Sequence, residues 1–261
     1  MKMPKLPILL AIVITLCLQF GCSTTDAIET TGPTVTPENI ASSIMQSEAL
    51  FKQREDVAKL RDAVSTLRKA RDYKQRNFEV EWKFARLNYF LGKQSIDDKE
   101  SNAAFEEGRD AAKIASTLEP QKADGYFWYG ANLGELSRKN MITVGIKSLP
   151  DVRASMEKVV ELQPGYQNTT ALDVLGQIEM ETRLYGGKAE KAVEFFEKGL
   201  ETEKNNMNLH LHLAEAYLAL KKESEAKNHL EKVINMKPNP EFLIECRESV
   251  EKAKKLLATK F

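Results

Sequence analysis

Any acid–base or metal chemistry in this chain would rest on His210, His212 and His229, on Cys246, and on adjacent carboxylates such as Asp97-Asp98 and Glu106-Glu107. A metal site needs converging ligands, as in His-Glu-x-x-His or paired cysteines, and neither pattern occurs. His210 and His212 are two apart, so on a helix they point in different directions. Gly186-Gly187-Lys188 lacks the earlier glycine, the following Ser or Thr and the preceding strand of a phosphate loop. Asp97 and Asp98 read as solvated charges of an insert, and Glu106-Glu107 as a charged helix face with nothing to make them share a proton. Cys17 lies in the leader and Cys22 at its end, which leaves Cys246 without a partner and reads it as a small buried apolar residue. No catalytic constellation, metal site or cofactor is implied, and the chain reads as a binding protein rather than an enzyme.

The elements that would carry binding are helical. Of 261 residues 42% are hydrophobic, enough for one or two domains with a core, and the wealth of Ala, Leu, Glu and Lys favours helix. Thirty-eight basic and 38 acidic residues cancel, which argues against nucleic acid as a partner. Residues 1–22 read as a targeting segment: Lys2 and Lys5 precede an apolar run from Leu6 to Leu18, too short to span a bilayer. The run ends in Gly21-Cys22-Ser23, which resembles a bacterial lipoprotein cleavage box, with Gln19 standing where an aliphatic residue is usual. Cys22 is thus the expected lipidation site, and an ordinary secretory signal is the alternative. Residues 23–37, rich in Ser and Thr, read as a flexible tether, and 38–261 as the folded domain.

Pro120, Pro164 and Pro238 recur at one and then two periods of about 40 residues, and each interval holds two helical segments. His210-x2-Leu213-Ala214-x2-Tyr217, then Ala226-x3-Leu230 and Pro238, has the spacing of a tetratricopeptide repeat. Trp82-x2-Ala85-Arg86-x2-Tyr89 opens one such pair, Tyr126-x2-Tyr129-Gly130-x2-Leu133 the next, and Leu172-x2-Leu175-Gly176-x2-Glu179 a third. A degenerate pair precedes them around Ala63-x3-Leu67-x2-Ala70. The fold class is therefore all-α: a tetratricopeptide-like solenoid of about five helix pairs with a capping helix after residue 238. Extra residues around 92–101, 138–150 and 183–188 are expected as inserts between the two helices of a pair, on one face.

The stretch "GYFWYGANLGELSR", 125–138, carries a single charge, Glu135, before Arg138. Tyr126 to Tyr129 cover most of a helix circumference, so this helix is buried nearly all round or lines a cavity. Gly130 and Gly134 would let a neighbour approach, at about 1 kcal/mol each against Ala. Trp128, Asn132 and Glu135 share a stripe. If it faces the concave channel of the solenoid, these three line a groove with Tyr129, Trp82 and Tyr89, suited to a peptide or a hydrophobic small molecule. Otherwise Trp128 fills core volume, and both readings stay open at this stage.

This stretch through "LPDVRASMEKVVELQPGY", followed by "LDVLGQIEMETRLYGGKAEKAVEFFEKGL", resembles the TatT family, the tetratricopeptide lipoprotein T components of tripartite ATP-independent periplasmic (TRAP) transporters. "EWKFARLNYFLG" fits the repeat upstream, and the likeness spans roughly residues 40–235. It implies a helical domain with a central pore or groove, a lipid anchor facing the periplasm, and association with the transporter's periplasmic substrate-binding protein. Ser23 after Cys22 is compatible with sorting to the outer membrane. The oligomeric state stays open, a homo-oligomer included. The alternative within the same class is a scaffold lipoprotein that assembles envelope machinery.

Overall fold

The computed structural model describes residues 36–140 and 145–261, and at 146, 241, 244 and 245 the backbone alone. Residues 1–35, including the leader, Cys22 and most of the tether, lie outside the described residues. Within them the chain forms eleven α-helices and no strand. In chain order these are α1 Pro37–Phe51, α2 Val57–Arg68, α3 Phe78–Gln94, α4 Asp98–Leu118, α5 Ala123–Lys139, α6 Ile146–Leu162, α7 Tyr166–Glu181, α8 Ala189–Thr202, α9 Met207–Ala219, α10 Glu223–Asn235 and α11 Leu243–Lys260. Starts are set locally by short polar side chains that accept from backbone N–H groups. Thr36, Asp56, Asn77, Asp97 and Asn206 cap α1, α2, α3, α4 and α9, and Pro37 follows its cap as the first residue of α1.

The helices pack as five pairs, α1/α2 to α9/α10, with α11 lying on α9 and α10. Many of the side-chain hydrogen bonds between successive pairs join residues 38 to 47 apart in sequence, because the repeat period carries a position to its equivalent one pair on. The register read from the sequence holds in the last pair, where Ala214, Ala226 and Leu230 are fully buried and α10 ends before Pro238. It also holds where Gly176 faces Phe196 and Gly130 faces Met156 across their pairs.

Two local expectations are corrected. The extra residues around 92–101 form no long insert: α3 and α4 are simply long, and residues 95–97 join them, with Ile96 fully exposed. Part of the 138–150 insert, 141–144, lies outside the described residues. At 183–188 an insert does form, a 3-10 turn Arg183–Tyr185 closed by Gly186 at φ 105, with Leu184 and Tyr185 exposed. The second correction concerns Gly134. A Cβ at Gly130 would meet Met156 Cε at 2.6 Å, whereas at Gly134 the nearest atom, Val152 Cγ1, is at 3.9 Å. Of the two, Gly130 alone marks a close approach. Gly134→Ala should therefore raise the stability of the domain by up to about 1 kcal/mol, and Gly130→Ala should lower it by about 1–3 kcal/mol. Urea midpoints of the two variants check this, and equal shifts in one direction would overturn it.

The start of α7 departs from helix. Gln167, Asn168 and Thr169 have φ of 47, 56 and 60, a left-handed turn made by three consecutive residues that are not glycine. Left-handed backbone costs roughly 1–2 kcal/mol per such residue, so surrounding bonds must hold the turn. Asn206 donates from Nδ2 to the carbonyl of Asn168 at 2.6 Å, and Thr169 is fully buried.

Candidate partner-docking face

The first helices of the pairs, α1, α3, α5, α7 and α9, with α11 continuing the row, form one face of the solenoid. α3 packs on α5, α7 on α9 and α11 on α9. Polar side chains link each of these helices to the next. Glu48 on α1 accepts from Lys83 Nζ at 2.8 Å and Arg86 Nη2 at 2.5 Å on α3. Lys93 on α3 lies 3.5 Å from Glu135 on α5. Arg138 on α5 donates to Gln177 Oε1 at 3.0 Å on α7 and lies 3.4 Å from Glu181. Gln177 in turn donates to Asp173 Oδ2 at 2.9 Å, and the other oxygen of Asp173 meets His212 Nδ1 on α9 at 2.6 Å. Lys252 on α11 closes the row on Glu215 of α9 at 2.8 Å. The exposed pairs of the row, Arg138–Glu181 and Lys252–Glu215, each contribute about 0–1 kcal/mol. Their consequence is geometric, in that the long side chains they join are each held in one position.

Aromatic rings lie among these charges at the α1–α3 end. The Arg86 guanidinium carbon is 4.3 Å from the Phe51 ring centroid and 5.3 Å from that of Trp82, and Lys83 Nζ is 4.6 Å from Trp82. Cations over ring faces at these distances are attracted by about 0.5–1 kcal/mol where solvent reaches them. Burial disfavours the Glu48 carboxylate, but its bonds to Arg86 and Lys83 outweigh this and hold its pKa below the ordinary value.

The six residues expected to line a groove separate into two groups. Trp82, Tyr89, Tyr129 and Glu135 are half-buried, and Glu135 belongs to the charged row just described. Burial, with Asp151 nearby, raises the Tyr129 hydroxyl above the ordinary tyrosine value. Trp128 and Asn132 are instead core residues, 2% and 0% exposed. The indole packs against Tyr89, Phe90 and Phe127, with centroids at 5.5, 6.2 and 4.9 Å. Asn132 donates to the carbonyls of Trp128 and of Ala85 on α3, and a Cβ on Gly108 of α4 would fall 2.3 Å from its side-chain oxygen. The Trp128–Asn132 stripe therefore faces α3 and α4, because the first helix of one pair is wedged between both helices of the preceding pair. Periodicity gives the stripe but not the direction in which it points.

Sequence reasoning did not find Glu48, Arg86, Arg138, Asp173 or Gln177, and only the repeat period, which sets them about one pair apart, could have suggested them. It did separate His210 from His212. His212 bonds Asp173 on α7, whereas His210 is buried against α10, its Nδ1 2.8 Å from His229 Nδ1 and its Nε2 3.0 Å from the carbonyl of Lys204. A carbonyl only accepts, so His210 carries its proton on Nε2, and His229 must donate from Nδ1. Cys246 is buried and unbridged. Among the described residues no three His, Cys, Asp or Glu side chains are grouped to hold a metal ion.

The two histidine sites titrate in opposite senses. Burial works against the His212 imidazolium, but the charge and hydrogen bond of Asp173 outweigh it and raise its pKa above the ordinary histidine value. Burial lowers His210 and His229, and His229, which also feels His210 and Lys232, falls to about 4. The α7–α9 link through His212 thus adds stability below pH about 6.5 that is lost as pH rises through the raised value. The α9–α10 contact through His210 and His229 adds stability above that pH, lost as pH falls toward 4. In urea midpoints measured across pH, His212→Gln should flatten the alkaline limb and His229→Gln the acid limb. The reverse assignment would refute this.

The family model described as regulator of microtubule dynamics protein 1-3 matches residues 43–183. The chain belongs to this family. In this family member a second model, the tetratricopeptide repeat, matches residues 184–243, so the two together span the described helices from α1 to α10. Its fold is shared by solved structures of low identity. A thermophilic tetratricopeptide protein of Thermus thermophilus is 16% identical with TM-score 0.60, over 83% of this chain and 99% of that one. MamA from Desulfovibrio magneticus is 14% identical with TM-score 0.54, over 83% and 98%. Another MamA structure is 14% identical with TM-score 0.52, over 87% and 98%. No curated protein matches the chain. The likeness establishes the tetratricopeptide fold of this family member.

Proposed function

We propose that this protein is a lipid-anchored docking scaffold of the cell envelope, serving as the accessory T component of a TRAP-type solute transport system. In this reading its first-helix face receives the transporter's periplasmic substrate-binding protein. The observation that carries it is the row of polar links from Glu48 to Lys252, set with half-buried rings at Trp82 and Tyr89. Rigid aromatic area beside fixed charges is the composition of protein-binding surfaces, where such groups lose little entropy on docking. The leader ending at Cys22 supports the anchor, and the resemblance of roughly residues 40–235 to the TatT family supports the partner. Burial of Trp128 favours docking of a protein over carriage of a hydrophobic small molecule. The microtubule named in the family's description is not transferred, since the leader reads as taking this chain out of the cytoplasm.

The test is a pull-down from detergent extracts with the anchored protein, followed by identification of what is retained. Recovery of a periplasmic substrate-binding protein is expected. Its absence under conditions that preserve other envelope complexes would sink the reading. Recovery of outer-membrane or cell-wall assembly factors would move it to the envelope-assembly scaffold, and the neighbouring genes would separate the two again.

A further inference from the structure

An open cleft of about 470 Å³ lies where the end of α8, the α8–α9 turn and the end of α10 meet. It is separate from the first-helix face and does not depend on the docking proposal. Its wall carries Lys204, Asn205, His210, Lys232 and Asn235, with Leu200 and Met236 as its apolar part. No carboxylate of the described residues lines it, although the chain as a whole is balanced in charge. Neither lysine has an ion-pair partner among the described residues, whereas most basic side chains of the first-helix face are paired. Behind His210 stands His229, joined to it through the two Nδ1 atoms. The groups that face this histidine pair are Lys232 on α10, Lys204 beyond α8 through its carbonyl, and the Tyr217 ring of α9 at 5.7 Å from His229. Each of these ionisable side chains other than the tyrosine is cationic or becomes so on protonation.

We propose that this cleft binds a doubly charged oxyanion of the sulfate or phosphate kind, held by Lys204 and Lys232 with the amides of Asn205 and Asn235 as further donors. Two lysines balance two negative charges, and amide N–H groups can complete an oxyanion's shell. Because His210 lines the cleft, an anion there favours its imidazolium, and protonation of the histidine pair favours the anion in return.

Sulfate is the first probe, since its charge does not change across the range used. The Hε1 resonances of the histidines in the full-length protein are followed as sulfate replaces chloride at constant ionic strength. Saturable shifts of His210 and His229 are expected, with His212, which faces Asp173, unmoved as the internal control. On saturation the pKa of the pair should rise by about one unit, which is about tenfold tighter binding at acid than at alkaline pH. Lys204→Gln combined with Lys232→Gln should abolish the shifts while leaving the His212 signal and far-UV circular dichroism unchanged. Absence of saturable shifts, or the same shifts in the double variant, overturns the site. Inorganic phosphate against glycerol 3-phosphate then distinguishes the source. An ester that binds as tightly as the free ion points to a lipid or sugar head group, and preference for the free ion points to a solute.

Discussion

Glu81→Ala should destabilise the domain by about 3–5 kcal/mol, the cost of leaving buried charges without their partner. Glu81 sits in the first turn of α3 with no exposure at all, and both of its oxygens are used. Arg71 reaches it from the α2–α3 connection through Nε and Nη2, the shortest contact being 2.8 Å, and Arg76 through Nη1 at 2.8 Å. The Arg71 guanidinium also lies 4.3 Å from the Phe84 ring centroid, so it cannot swing into water without uncovering the ring. Arg71 and Arg76 are 10% and 21% exposed, which sets the cost toward the lower end. Glu81→Gln keeps one acceptor and the shape, and should cost less than the alanine variant. Urea unfolding followed at the tryptophans, both of which lie in or beside this first half, measures it. An alanine variant whose midpoint equals that of the parent protein would show that the triad contributes nothing.

The second large effect is expected at Asn206, which holds two elements with one amide. Its oxygen accepts from the backbone N–H groups of Asn208 and Leu209 and caps α9, while its nitrogen holds the carbonyl of Asn168 in the left-handed turn. Loss of a cap costs about 1 kcal/mol, and loss of a partner for a part-buried carbonyl about 1–3 kcal/mol. Asn206→Ala should therefore lose about 2–4 kcal/mol, the sum of the two. Asn206→Asp retains the cap and loses only the donor, so it should fall between. Gln167→Gly, which removes the left-handed cost at φ 47, should recover part of the loss when combined with Asn206→Ala. Denaturant midpoints of the four proteins suffice. If the aspartate variant equals the alanine variant, the amide nitrogen is the whole effect; if it equals the parent, the clamp on the turn is worth nothing.

Neither of these features was legible in the sequence, although the fold was. Alanine and proline at fixed spacing announce a repeat because helix pairs must cross closely and stop, and these needs are local. Glu81 looked like any acid in the first turn of a helix, and its burial depends on where the connection from α2 lays Arg71 and Arg76. The reading at 125–138 shows the same limit from the other side. Four aromatics in a row correctly signalled a helix with little wet surface, yet the side on which Trp128 falls is set by how α5 seats between α3 and α4. Trp82 and Tyr89 are half-buried, and Glu135 reaches the first-helix face through its bond to Lys93. Asn132 does not, because its amide is consumed in fastening α5 to the carbonyl of Ala85.

The stiffness of the solenoid is not uniform along its length. First helices run directly against one another at α3/α5, at α7/α9 and at α9/α11, whereas between α5 and α7 it is α6 that packs closely on both. Among the described residues two polar links cross that junction: Arg138 reaches the last turns of α7, and at that helix's other end, beside the strained turn, the Tyr166 hydroxyl donates to Asp124 of α5 at 2.8 Å. Bending should concentrate at that junction, where α5 and α7 meet through side chains while α6 lies between their backbones. A partner that grips Trp82 on one arm and His212 on the other would set the angle between the arms, and added salt, by screening Arg138, would slacken it.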